Sequence, residues 1–246
     1  MPLVRVSREA APQTDPVDDG AQASVAARIP GAVALGLVPP PSAPLVPALD
    51  LVDRERVARL IAGRARTVDR VTATVWWYST SLVLLMPALA GLVTGIPLSG
   101  RPADTSLAFR SDGLPVAAVS TAGTDDVAAD LRATLRGVVA AVAAAGRMRE
   151  RPLWAIATDS IANQLLALGR ARGNVPAATA HAAPLAATIG APLPVPRYVD
   201  VAGARFTLRT SCCLVVELPG GSLCTSCPRR PSAQRRALLE QAARWF

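Results

Sequence analysis

Arg209-Thr210-Ser211-Cys212-Cys213-Leu214-Val215-Val216-Glu217-Leu218-Pro219-Gly220-Gly221-Ser222-Leu223-Cys224-Thr225-Ser226-Cys227-Pro228 is the stretch on which the reading of this chain turns. Its skeleton is two adjacent cysteines, ten residues, then a C-x-x-C pair. Leu214 to Leu218 is apolar and contains β-branched residues, so it reads as a strand. Pro219-Gly220-Gly221 is turn chemistry, and Ser222 and Leu223 begin a return. A ribbon folded there places Cys213 opposite Cys227 and gathers four thiols at one end. Adjacent strand residues point to opposite faces. Cys212 and Cys213 can both be ligands only if the backbone twists or bulges there, or if the group they grip has two metal atoms. A tetrahedral zinc ion favours two C-x-x-C chelates, and plant-type ferredoxin spacing is absent. The pattern is neither a common zinc ribbon nor a common ferredoxin loop.

The rest of the composition works by exclusion. The chain has 246 residues, 51% hydrophobic and 18% charged, enough for a sizeable core without metal or disulfide staples. All 26 basic residues are Arg, which removes Schiff-base and P-loop lysine chemistry. The single histidine, His181, rules out multi-His metal sites. It lies in an Ala/Pro-rich stretch with no recognisable partner and reads as an exposed structural residue. All four cysteines fall between Cys212 and Cys227, so they form one local thiol site and not a framework of disulfides. The opening MPLVRVSREAAPQTDPVDDG has no basic region followed by an apolar one, so a cytoplasmic, reducing compartment is expected. There, clustered cysteines read as metal ligands or redox thiols.

The expected fold class is α+β: a mainly α-helical body, a short β-hairpin and a C-terminal cysteine-bound segment. Three regions are expected. Residues 1–48 hold nine of the 22 prolines and read as a flexible arm. Residues 49–200 form the helical body, and residues 201–246 form the cysteine segment with a terminal helix. Helices are expected over 53–66, over 68–90, from a Thr124 cap to about Met148, and from Pro152 to Gly173. Ser106–Arg110 and Leu114–Ser120 read as a hairpin around Ser111-Asp112-Gly113. Residues 174–197, with five prolines, read as a linker. Ser232 to Phe246 reads as an amphipathic helix capped by Ser232, with Leu238, Leu239, Ala242 and Trp245 on one face. The run from Val71 to Gly100 carries no charge and is long enough for a bilayer span. Its Thr, Ser, Pro and Gly residues favour a core helix, with membrane contact as the alternative.

Around the cysteines the sequence resembles the siderophore-iron reductases of the FhuF type. The match runs through Cys212, Cys213, Cys224 and Cys227, through Arg209-Thr-Ser-Cys-Cys-Leu, and through Leu-Cys-x-x-Cys-Pro. Val215 and Val216 stand where that family often has an aromatic pair. The resemblance implies that the four cysteines bind a [2Fe–2S] cluster, which makes 201–246 an iron–sulfur segment. It also implies an enzyme that reduces ferric siderophore iron to Fe(II) by one electron. Hard oxygen donors hold Fe(III) and release Fe(II), so electron transfer is sufficient chemistry. The partners implied are a ferric siderophore and an electron donor of the ferredoxin or flavin reductase type. Residues 197–246 carry eight Arg and three acids, and Arg209, Arg229 and Arg230 are candidates for raising the cluster potential or drawing in an anionic chelate. Two other readings stand beside this one. One is a four-cysteine zinc module, structural or nucleic-acid-binding; the net charge of +8 permits it, but adjacent cysteines and few aromatics disfavour it and make nucleic acid an unexpected partner. The other is an iron–sulfur redox sensor.

Overall fold

A computed structural model describes residues 20–245. The fold is α+β, and it is assembled around one long apolar helix. Helix α1 spans Gly20–Ala27, strand β1 Leu45–Pro47 and helix α2 Arg54–Ala62. Helix α3 spans Arg70–Thr94. Strands β2 (Thr105–Phe109) and β3 (Pro115–Ser120) form the expected hairpin, with Gly113 at positive φ in its turn. Helices α4 (Val127–Ala145) and α5 (Arg151–Ala171) follow.

α3 is the centre of the core. It opens on a capping box, in which the Asp69 side chain accepts from the Thr72 amide and the Thr72 hydroxyl accepts from the Asp69 amide. It runs past the expected end at residue 90 and stops at Gly95, which adopts the left-handed conformation. Gly91 lets the chain fold back over the helix. A Cβ there would lie 2.6 Å from the Ile96 carbonyl oxygen. The helix is long and apolar enough to cross a membrane, with a mean hydropathy of 1.4, yet 61% of that window is buried within the fold. α5 packs along it. Trp77 is fully buried and its Nε1 donates to the Leu153 carbonyl at 2.9 Å; the hydroxyls of Ser81 and Ser160 pair at 2.7 Å.

The N-terminal stretch differs from the expected flexible arm. From Gly20 onward it packs on the body, while residues 1–19 lie outside the described residues. Val25, Ile29 and Leu37 are buried in the main core. The buried Gln22 amide donates to the Leu37 and Ala118 carbonyls, each at 2.8 Å, and accepts from the Ser120 amide. β1 pairs antiparallel with β2, giving a three-stranded sheet in the order β1-β2-β3. Proline density did not prevent this because β1 is an edge strand, where Pro47 need not donate to a neighbour.

Residues 174–197 are also more ordered than a linker. They contain helices α6 (Val175–Ala180) and α7 (Ala182–Ile189). Pro176 and Pro184 sit in first turns, where a backbone N–H has no intrahelical partner to lose. Asn174 caps α6 by accepting from the Ala177 amide at 3.1 Å. The cap of α4 is Asp126, whose side chain accepts from the Ala129 amide, so the start lies two residues beyond the expected Thr124.

A second hairpin joins β4 (Tyr198–Val201) to β5 (Ala204–Thr207) through Ala202-Gly203, both at positive φ. Helix α8 (Ser232–Ala243) packs Leu239 on Val201, Ala204 and Phe206. Its N-cap is Pro231, with no side-chain cap from Ser232. Trp245 does not join that face; it is 85% exposed. The contrast between the two tryptophans is testable. Trp77→Ala should cost about 3–5 kcal/mol and lower the thermal midpoint markedly. Trp245→Ala should stay within about 0.5 kcal/mol of the parent in the same thermal melt.

Candidate metal centre

The cysteine segment has few strong internal ties and is held by two helices of the body. Its anchor is Asp159, in the middle of α5 and 1% exposed. The Asp159 carboxylate accepts from the Thr210 amide at 2.7 Å, the Ser211 amide at 3.1 Å and the Arg209 Nε at 3.4 Å. Burial pushes the Asp159 carboxyl above its ordinary range, and those three donors oppose the shift. The Arg209 side chain is 2% exposed. Burial works against its charge; Tyr78, Cys213, Asp159 and Cys224 together more than offset this and hold the guanidinium protonated. Its carbon lies 4.9 Å from the centre of the Tyr78 ring, a cation–π stack on α3.

Arg209 then reaches the thiols. Its Nη1 lies 3.3 Å from Cys224 Sγ and 3.7 Å from Cys213 Sγ. Cys212 Sγ and Cys227 Sγ are 3.9 Å apart, too far for a disulfide, and all four cysteines are free. Cys213 and Cys227 are buried; Cys212 and Cys224 are half-buried. Burial raises the Cys227 thiol above its ordinary range, and the neighbouring Cys212 adds to this.

The backbone here is not the expected ribbon. Leu214 takes a left-handed conformation at φ 61°, and Val215–Glu217 forms a single 3-10 turn instead of a strand. Gly221 packs so closely on the Val215 carbonyl that any side chain there would collide with it. A second tether holds the loop from outside. Arg70 Nη2 pairs with Glu217 Oε2 at 2.8 Å, and Arg229 Nη1 with Glu217 Oε1 at 3.1 Å.

The three arginines expected near the site are all present, and they differ in burial and in partners. Arg209 is buried and cannot meet an external chelate. Arg230 donates from Nε to the Cys224 carbonyl at 2.9 Å and so braces the C-x-x-C turn. Arg229 remains half exposed and shares Glu217 with Arg70. His181 sits at the junction of α6 and α7. Asp159 and Tyr78 escaped the sequence reading. A single acid inside the apolar run Trp154-Ala-Ile-Ala-Thr-Asp-Ser-Ile161 was the available signal for the first.

The donor set, four thiols in two pairs, fits a binuclear iron–sulfur group. The thiols form one close pair and a second pair bridged by a guanidinium, a spread that two metals accommodate. Arg209 Nη2 is buried without a hydrogen-bond partner among the described residues, as a donor awaiting an acceptor at this place would be.

Removing the anchor should loosen the whole segment. Asp159→Ala leaves a buried guanidinium without its carboxylate and should lower unfolding free energy by about 3–5 kcal/mol. Asp159→Asn keeps one acceptor and should cost less. Denaturant unfolding followed by circular dichroism distinguishes these outcomes; a loss below about 1 kcal/mol for Asp159→Ala contradicts the anchor.

No curated protein matches the chain. Residues 209–229, which hold the anchor arginine, all four cysteines and Arg229, match the family model described as the FhuF 2Fe-2S C-terminal domain. The match covers the cysteine segment alone and shows the likeness of that segment to this domain.

Proposed function

We propose that this protein is a [2Fe–2S] oxidoreductase that delivers one electron to ferric siderophore iron. The observation that carries the reading is the family match on a four-thiol site braced by buried Arg209. Cys212, Cys213, Cys224 and Cys227 would hold the cluster, which supplies a one-electron carrier when bound. The protein's own residues do the rest. Asp159 and Tyr78 fix Arg209, and Arg209 supplies a donor and a positive charge to the thiolates. The half-buried Cys212 and Cys224 set the site close to the surface. An electron can cross such a short gap to a docked chelate with no side chain acting as acid, base or nucleophile. This agrees with a chain that has one His and no Lys. Loss of charge on going from Fe(III) to Fe(II) weakens binding by hard oxygen donors and releases the metal.

A cytoplasmic donor of the ferredoxin or flavin reductase type would return the electron. Of Arg209, Arg229 and Arg230, Arg229 keeps the most exposed guanidinium surface for an anionic chelate.

Dithionite-reduced protein, freed of excess reductant and mixed anaerobically with a ferric hydroxamate and an Fe(II)-specific chelator, should release Fe(II) in proportion to protein. A reduced, coloured protein that releases none from hydroxamate, catecholate or citrate chelates would favour a sensor over a reductase. Cys213→Ser should abolish the visible spectrum, and an unaltered spectrum would show that the ligand set is wrong.

A further inference from the structure

We propose that Arg209 selects which iron of the centre receives the electron, by holding a buried positive charge against Cys213 and Cys224. The inference rests on the reading of the four cysteines as ligands of a two-iron cluster. It adds a pairing of those ligands and a role for one arginine.

The pairing comes from one distance and an elimination. In a tetrahedral centre with metal–thiolate bonds of about 2.3 Å, the two sulfurs are about 3.8 Å apart. Thiolates on opposite irons are held farther apart by the iron–iron separation. The Sγ atoms of Cys212 and Cys227 lie 3.9 Å apart, the spacing of two ligands on one iron. Four ligands shared between two irons leave Cys213 and Cys224 for the other. Arg209 Nη1 lies within 3.7 Å of both of these sulfurs. The pairing therefore crosses the C-x-x-C motif instead of following it.

The two pairs differ in their electrostatic surroundings. Arg229 follows Cys227 by two positions and is the other arginine beside the thiols with a charge to offer. Its side chain is 51% exposed and shared with Glu217, so solvent and a carboxylate both dilute its field. Arg209 is 2% exposed, is always charged and has an Nη2 with no partner among the described residues. Its carboxylate partner Asp159 sits on the Nε side, away from the Nη1 that meets the thiols. Hydrogen bonds and positive charge at cluster sulfurs favour the reduced state. The electron should therefore reside on the iron of Cys213 and Cys224. One electron from an external one-electron reductant, dithionite in the test, takes that iron from ferric to ferrous. No bond to the protein forms or breaks.

The test compares midpoint potentials of the cluster-loaded protein. Arg209→Gln removes the buried charge and should shift the potential downward. Arg209→Lys, which keeps the charge, should shift it less, and Arg229→Gln should shift it less than Arg209→Gln. An unchanged potential in Arg209→Gln, or an equal shift in Arg229→Gln, overturns the proposal. A readout on the unaltered protein covers the case in which Arg209 variants fail to hold the cluster. The chain has two tyrosines, so a tyrosine-ring-labelled sample isolates Tyr78 in the NMR spectrum. In the reduced protein, the Tyr78 ring should cross-relax with cysteine β-protons showing the temperature dependence of the ferrous site. Cross-relaxation only with ferric-site protons, or none, overturns the assignment. If the unaltered protein shows no visible absorption bleached by dithionite, the cluster reading fails first, and the two failures are told apart.

Discussion

The buried ion pair between Arg209 and Asp159 is the interaction on which the cysteine segment depends. The segment from Thr210 to Arg230 contributes two buried cysteines and little other apolar burial. It lacks a core of its own, and its geometry has to come from elsewhere. Asp159 supplies it by accepting two successive backbone amides and a guanidinium, which sets both the path of the chain into Cys212 and the direction of Arg209. A buried carboxylate or guanidinium alone would be costly; together, with amide donors and an aromatic face, much of that cost is offset.

The rest of the fold supports that pair. Tyr78 comes from α3 and Asp159 from α5, so the relative placement of these helices sets the site. Their contact is sealed by the Trp77–Leu153 and Ser81–Ser160 hydrogen bonds, which lie next to Tyr78 and Asp159 in sequence. Rigid packing of small and apolar side chains thus positions two polar groups beneath a loop. Arg70, at the start of α3, reaches the same loop through Glu217 and limits its outward movement. An electron-transfer site benefits from this arrangement, because a charge that is already in place need not reorganise when the electron arrives.

The local parts of this architecture were legible in the sequence, and the long-range parts were not. Ser111-Asp112-Gly113 announced the β2–β3 turn, Pro152 the start of α5, and the uncharged run after Arg70 the core helix. Each signal sits inside the element it predicts. β1 was hidden because three residues flanked by prolines carry no periodicity, and their strand character comes from pairing with β2 sixty residues away. α6 and α7 were hidden because proline counts as a breaker unless its position within the first turn is known. Leu214-Val215-Val216 has a strong strand propensity, which close packing of Val215 on Gly221 overrides. For the site, spacing picked out the four cysteines. Asp159, fifty residues upstream of Arg209, has a role only after folding.

The central claim is that four thiols around Arg209 hold a two-iron, two-sulfide group. Measurement of iron, zinc and acid-labile sulfide in anaerobically purified protein tests it most directly. The account predicts two irons and two sulfides per chain, with no zinc. One zinc per chain and no labile sulfide would contradict it.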